Sequence, residues 1–235
     1  MVRRPVVLVP GLLCDEGVWS DQSRALGADR CLVPSFDGLS SLGAMAERVL
    51  AQAPAGPFLL VGHSLGARVA FEVVRRAPER VARLALFDTG VAPLPPGAAG
   101  AAERAARHAL LAIARSEGMR AMGSQWARGM VHPAHVDTPV FAAILAMIER
   151  RTPDTFAGQI EALLARPDAS AVLASVVCPM LIACGRQDAW TPLARHEAMH
   201  ALAPHARLAV VEDSGHMTTM EQPDAVSRLL VEWAA

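Results

Sequence analysis

The segment Phe58-Leu59-Leu60-Val61-Gly62-His63-Ser64-Leu65-Gly66 reads as strand, sharp turn and the first residues of a helix. Its continuous apolar run suits a strand covered on both faces. G-x-S-x-G then follows, and residues 65–76 carry a helical pattern. Such a turn holds the serine in a strained conformation, with its hydroxyl in open space at the C-terminal edge of a sheet. Gly62 and Gly66 let strand and helix approach closely. The new helix leaves N–H groups free, and that of Leu65 is placed to stabilise an oxyanion. The competing reading is an ordinary turn with a capping serine.

The same rhythm repeats on either side. Apolar runs stand at 6–9, 31–33, 84–87, 180–183 and 208–211, and helical patterns at 42–52, 195–202 and 224–233. Leu42, Met45, Ala46, Val49 and Leu50 form an i, i+3, i+4, i+7, i+8 stripe. This alternation predicts an α/β fold, a mostly parallel sheet of about six strands flanked by helices. Residues 93–176 break the rhythm with helical patterns at 98–116, 117–129, 138–150 and 153–165. The expected organisation is a core of 1–92 and 177–235 with a helical cap insertion of 93–176. The insertion leaves the chain after the fourth strand, at the edge that carries Ser64. Ligands in open α/β sheets bind there, so the insertion is placed to roof a site. Met122 and Trp126 within it, and Trp190 beyond it, are the candidate substrate contacts; packing onto the core is the alternative role.

A serine hydroxyl needs an adjacent base. Of eight histidines, His216 stands in Glu212-Asp213-Ser214-Gly215-His216, just after the last apolar run. A flexible Gly215 would let its ring swing toward Ser64. The acid that orients the histidine has two candidates, Asp188 after the fifth run and Asp88 after the fourth. Asp188 is favoured because its strand should lie beside the one that delivers His216; Asp88 otherwise binds the Thr89-Gly90 backbone. His63 should point away from the nucleophile. A second oxyanion donor is expected in the loop Pro10-Gly11-Leu12-Leu13-Cys14, from the Leu12 N–H.

Composition narrows the function. The chain has 235 residues, 52% hydrophobic and 19% charged, with a net charge of -1. It can bury a core, and it lacks the basic excess of a nucleic-acid binder. Arg75-Arg76 and Arg150-Arg151 read as solvated surface. Aromatics are only 4% and Tyr is absent, so a pocket should be lined by aliphatic side chains, Met and a few Trp or Phe. Cys14, Cys31, Cys178 and Cys184 form no C-x-x-C pair and read as free thiols, mostly buried, in a reducing, cytoplasmic setting. The apolar N-terminal run stops at Pro10-Gly11, too short for a signal peptide, and no stretch reads as a membrane span. The expected partner is a small-molecule substrate, with no metal and no signal for a particular oligomeric state.

Together these segments resemble the α/β-hydrolase superfamily over nearly the whole chain, especially short bacterial carboxylesterases and enol-lactone hydrolases with a helical cap. The residues concerned are Leu8–Asp15, Gly62–Ala67, Gly185–Pro192, Ser214–Met217 and Glu221-Gln222-Pro223. The resemblance implies a Ser64–His216–Asp188 triad, an acyl-enzyme intermediate, oxyanion amides at Leu12 and Leu65, and no cofactor. Pro10-Gly11 replaces the His-Gly common before the oxyanion residue, and Ala67 a frequent glycine. The chain starts at what would be the third strand of a full eight-stranded sheet. The expected substrate is a small or medium apolar carboxylic ester. Carbon–carbon bond or lactone hydrolysis, and ligand binding with weak turnover, are the alternatives within such a superfamily.

Overall fold

The computed structural model describes residues 4–235. Strands β1 (Val6–Val9), β2 (Cys31–Leu32), β3 (Phe58–His63), β4 (Val81–Phe87), β5 (Met180–Gly185) and β6 (Arg207–Val211) form one sheet. Their order is β2-β1-β3-β4-β5-β6, and every neighbouring pair is parallel. β1, β3 and β5 are buried along their whole length, as unbroken apolar runs require. β2 is only two residues long, shorter than its apolar run.

Helices α1 (Ser20–Leu26), α2 (Leu42–Gln52) and α3 (Leu65–Arg76) connect the first strands. Ser41 caps α2 by accepting the Ala44 N–H, and Leu42, Met45, Ala46 and Val49 are its buried face. Glu72 of α3 holds Arg75 and Arg76 by hydrogen bonds of 3.3 and 2.7 Å. Between β4 and β5 lie α4 (Gly97–Glu117), α5 (Met119–Trp126), α6 (Pro139–Glu149), α7 (Pro153–Leu164) and α8 (Ser170–Ser175). The Ala169 N–H donates to the Val91 carbonyl at 2.9 Å, tying the exit of this segment to its entry. Helices α9 (Leu193–Leu202), α10 (Thr218–Glu221) and α11 (Pro223–Ala234) complete the chain.

The Arg150-Arg151 pair is not free surface. Arg150 grips the buried Asp15 carboxylate through two hydrogen bonds of 2.7 and 3.0 Å. Arg151 lies 3.4 Å from the same group and 3.3 Å from Asp37. Asp15 also caps a short 3-10 helix through the Gly17 N–H. The pair therefore fastens the inserted helices to the loop after β1. The four cysteines are free thiols; Cys14 and Cys184 are buried, Cys31 and Cys178 half-buried. No described helix is long and apolar enough to cross a membrane.

Candidate active site

Ser64 sits between β3 and α3 with φ 54° and ψ -113°. This left-handed conformation is rare for a residue with a side chain and marks local strain. It persists because the neighbours leave no room to relax. A Cβ on Gly66 would collide with the Val9 carbonyl oxygen, and one on Gly62 would stand 2.6 Å from the Ala67 backbone.

The loops after β5 and β6 deliver two further side chains. Ser64 Oγ lies 2.8 Å from His216 Nε2, and His216 Nδ1 lies 2.8 Å from Asp188 Oδ2. β5 and β6 are parallel neighbours, which sets the two loops side by side. Asp188 accepts the Trp190 and Thr191 N–H groups at 2.8 and 2.9 Å, and the Thr191 hydroxyl. Burial opposes its charge, but His216 and the Thr191 donors outweigh burial and hold the carboxyl well below its ordinary range.

Asp88 reaches the same edge with a different set of contacts. Fully buried, it accepts the Gly185 N–H at 3.0 Å and the Thr218 hydroxyl, rather than the Thr89-Gly90 backbone. Burial, then the Asp188 charge, raise it well above the usual carboxylate value. His63 points away from Ser64 and donates its Nε2–H to the His216 carbonyl at 2.8 Å. Burial, then His216, pull His63 down to about 3, so its ring is neutral.

In the loop after β1, Leu13 adopts φ 60°, and its N–H donates to Gln159 Oε1 of α7 at 2.8 Å. The N–H groups of Leu12 and Leu65 meet no acceptor among the described residues. Both residues line a cavity of about 440 Å³ that also holds Ser64 and His216. Cys14 lines it too, but burial, then Asp15, push its thiol up to about 12, which keeps it protonated. A wider depression of about 690 Å³, lined by Arg4, Leu59 and Pro179 at the other end of the sheet, contains none of these groups.

The inserted helices form much of the cavity wall. Trp126 and Trp190 line it, their rings 5.1 Å apart, with Trp190 also 5.1 Å from the His216 ring. Met122 does not line it. It is fully buried on the first turn of α5, which packs against α4 and α6, and only the last turn reaches the cavity. The wall is also less apolar than the composition suggests: Arg68, Arg107, Arg166, Arg195 and Glu103 stand in it. Arg68 was legible in principle, because it lies four residues after Ser64 on one helix face.

The histidine loop is braced from the insertion. The His216 N–H donates to the Met130 carbonyl at 2.6 Å. Gly215 serves close approach rather than flexibility, since a Cβ there would stand 2.6 Å from that oxygen. The buried Glu221 carboxylate accepts the N–H groups of Gly215, Met217 and His132 and faces His135 Nδ1 at 2.8 Å.

The alpha/beta hydrolase family model matches residues 6–229. The chain belongs to the alpha/beta hydrolase family. That places it among hydrolases. A pimeloyl-[acyl-carrier protein] methyl ester esterase of Aromatoleum aromaticum is 29% identical over 98% of both chains. A thermophilic esterase from Thermogutta terrifontis superposes with a TM-score of 0.86 at 28% identity, over 98% of this chain and 89% of that one. The enol-lactonase from Burkholderia xenovorans LB400 shares the alpha/beta hydrolase fold with a TM-score of 0.82 at 19% identity, over 98% and 91%.

Proposed function

We propose that this chain is a serine hydrolase of small or medium carboxylic esters, acting through Ser64, His216 and Asp188. The observation that carries the reading is the unbroken chain from Ser64 Oγ through His216 to Asp188, with both links 2.8 Å. Ser64 attacks the ester carbonyl while His216 Nε2 takes its proton. Asp188 accepts the Nδ1–H, which fixes the tautomer and stabilises the imidazolium that forms. The Leu12 and Leu65 amides hold the developing oxyanion; donors of this kind contribute roughly 10²–10³-fold each. His216 returns the proton to the leaving alcohol, and water then releases the acyl group by the same steps reversed. A lactone is an ester closed into a ring and would open in the same way.

The inserted helices act as a cap in this reading, with Trp126 and Trp190 beside the scissile bond. Four free thiols fit a reducing cytoplasm. Both esterase relatives support ester chemistry. The test is labelling with a fluorophosphonate probe, then turnover of p-nitrophenyl esters of graded chain length. One label per chain, on Ser64, and turnover that Ser64→Ala reduces by about 10⁴-fold are expected. A folded Ser64→Ala protein with undiminished turnover refutes the reading. Stoichiometric labelling without turnover of any ester would favour a binding role.

A further inference from the structure

Arg68 is a buried cation that makes no hydrogen bond to a carboxylate among the described residues. It lies one helical turn beyond Ser64, about 6 Å along the α3 axis. Its side chain lines the cavity while the residue is only 9% exposed. Nη1 is buried and meets no acceptor among the described residues. Nη2 stands 3.6 Å from where a Cβ on Gly90 would be, and Cδ of Arg195 stands 3.8 Å from the same point. Two cationic side chains thus converge over the wall residue Gly90.

The glutamate that lines the cavity is already engaged. Glu103 takes both arms of Arg166 at 2.8 Å and Arg107 at 2.9 Å. Those contacts hold Glu103 down to about 2 although burial opposes its charge. Asp168, exposed, accepts the Ser170 N–H at 2.7 Å. Four arginines therefore line the cavity with one glutamate and Asp88, and Asp88 is pushed toward its neutral form. Burial, then the charges of Arg166 and Arg195, lower Arg68 to about 9 against the more distant pull of Glu103 and Asp168, so it is still a cation at neutral pH. A desolvated, unpaired guanidinium is costly to keep, and a bound anion relieves the cost.

The geometry points to a carboxylate subsite: Arg68, supported by Arg195, receives the acidic end of a short-chain substrate whose ester end lies at Ser64. A carboxylate matches the planar guanidinium fork and balances a single charge. The inference rests on the reading of Ser64 as nucleophile, and it narrows the substrate class to half-esters of short dicarboxylic acids.

The test uses Ser64→Ala protein, which binds without turnover. Methyl hydrogen glutarate and dimethyl glutarate are titrated by calorimetry; they differ mainly in one charge. The half-ester should bind roughly 10-fold or more tighter, the range expected for hydrogen bonds to a charged partner. Adding Arg68→Gln should bring the ratio below about 3-fold, and Arg195→Gln, at an exposed position, should lower it by a smaller factor. Equal affinities, or an undiminished ratio in folded Arg68→Gln, overturn the subsite. If Arg68→Gln does not fold, an unchanged ratio in Arg195→Gln overturns it. Turnover of p-nitrophenyl butyrate by the unmodified protein tests the hydrolase reading separately. Turnover without charge discrimination removes the subsite alone; discrimination without turnover keeps the subsite and removes the hydrolase.

Discussion

At Ser64 the backbone conformation and the chemistry pull against each other. A non-glycine residue in a sparsely populated region costs about 1–3 kcal/mol. Ser64→Gly removes that strain but gains about 0.4–1 kcal/mol of unfolded-chain entropy. The net expectation is a protein more stable by about 1 kcal/mol in urea unfolding, with no ester turnover. Equal or lower stability would mean that Ser64 is not strained. The two aspartates give a second contrast. Asp188→Asn should lower kcat by about 10⁴-fold, because it loses the correct histidine tautomer. Asp88→Asn should cost less than roughly 10-fold: the side chain is pushed toward its neutral form, and an amide oxygen can still accept the Gly185 N–H. A crippling Asp88→Asn with a mild Asp188→Asn reverses the assignment. Ser64, Asp188 and His216 were legible because each follows a strand in a fixed chain order. Gln159 and Met130, and the hold of Glu221 on residues 132–135, were not, because these partners lie far away in sequence and only the folded insertion brings them close.

Among elements, those with an unambiguous apolar period had readable limits. The helix patterns at 42–52 and 65–76 coincide with α2 and α3. Helix α1 leaves no apolar stripe in the sequence, because only Gln22 and Leu26 of its seven residues are buried. α8, six residues long, is hidden for the same reason. Coupling between elements is harder still to read, and Glu221 is its centre. It joins the histidine loop to residues 132–135 of the insertion through four donors. Glu221→Gln leaves one acceptor oxygen and turns a new N–H₂ toward existing donors. We expect a stability loss of about 2–3 kcal/mol, by analogy with buried hydrogen bonds to charge. We also expect kcat per titrated site to fall about 10-fold, because the His216 backbone shifts relative to Ser64. A lowered Tm with unchanged kcat per labelled site would assign Glu221 a structural role only.

Over the whole molecule, two histidines are folded away in their neutral form, and this links acidity to stability. His63 is drawn down to about 3 and His196 to about 4, in both cases mainly by burial. His196 Nε2 accepts the Thr89 N–H at 3.0 Å, which only an unprotonated nitrogen can do. In the unfolded chain both rings return to about 6.5. Between the folded and unfolded values the unfolded state binds protons that the folded state refuses, so stability falls as the pH drops below about 6.5. Each histidine contributes a slope approaching 1.4 kcal/mol per pH unit, and the pair about 3–4 kcal/mol between pH 7 and pH 5. That is a large share of the 5–15 kcal/mol typical of a domain. Urea unfolding followed by tryptophan fluorescence at pH 7, 6 and 5 measures it. His63→Gln keeps a donor for the His216 carbonyl and His196→Gln keeps an acceptor for Thr89, yet neither titrates. Each single change should remove about half of the pH dependence. If the double variant retains the full loss between pH 7 and pH 5, neither ring is held neutral by the fold.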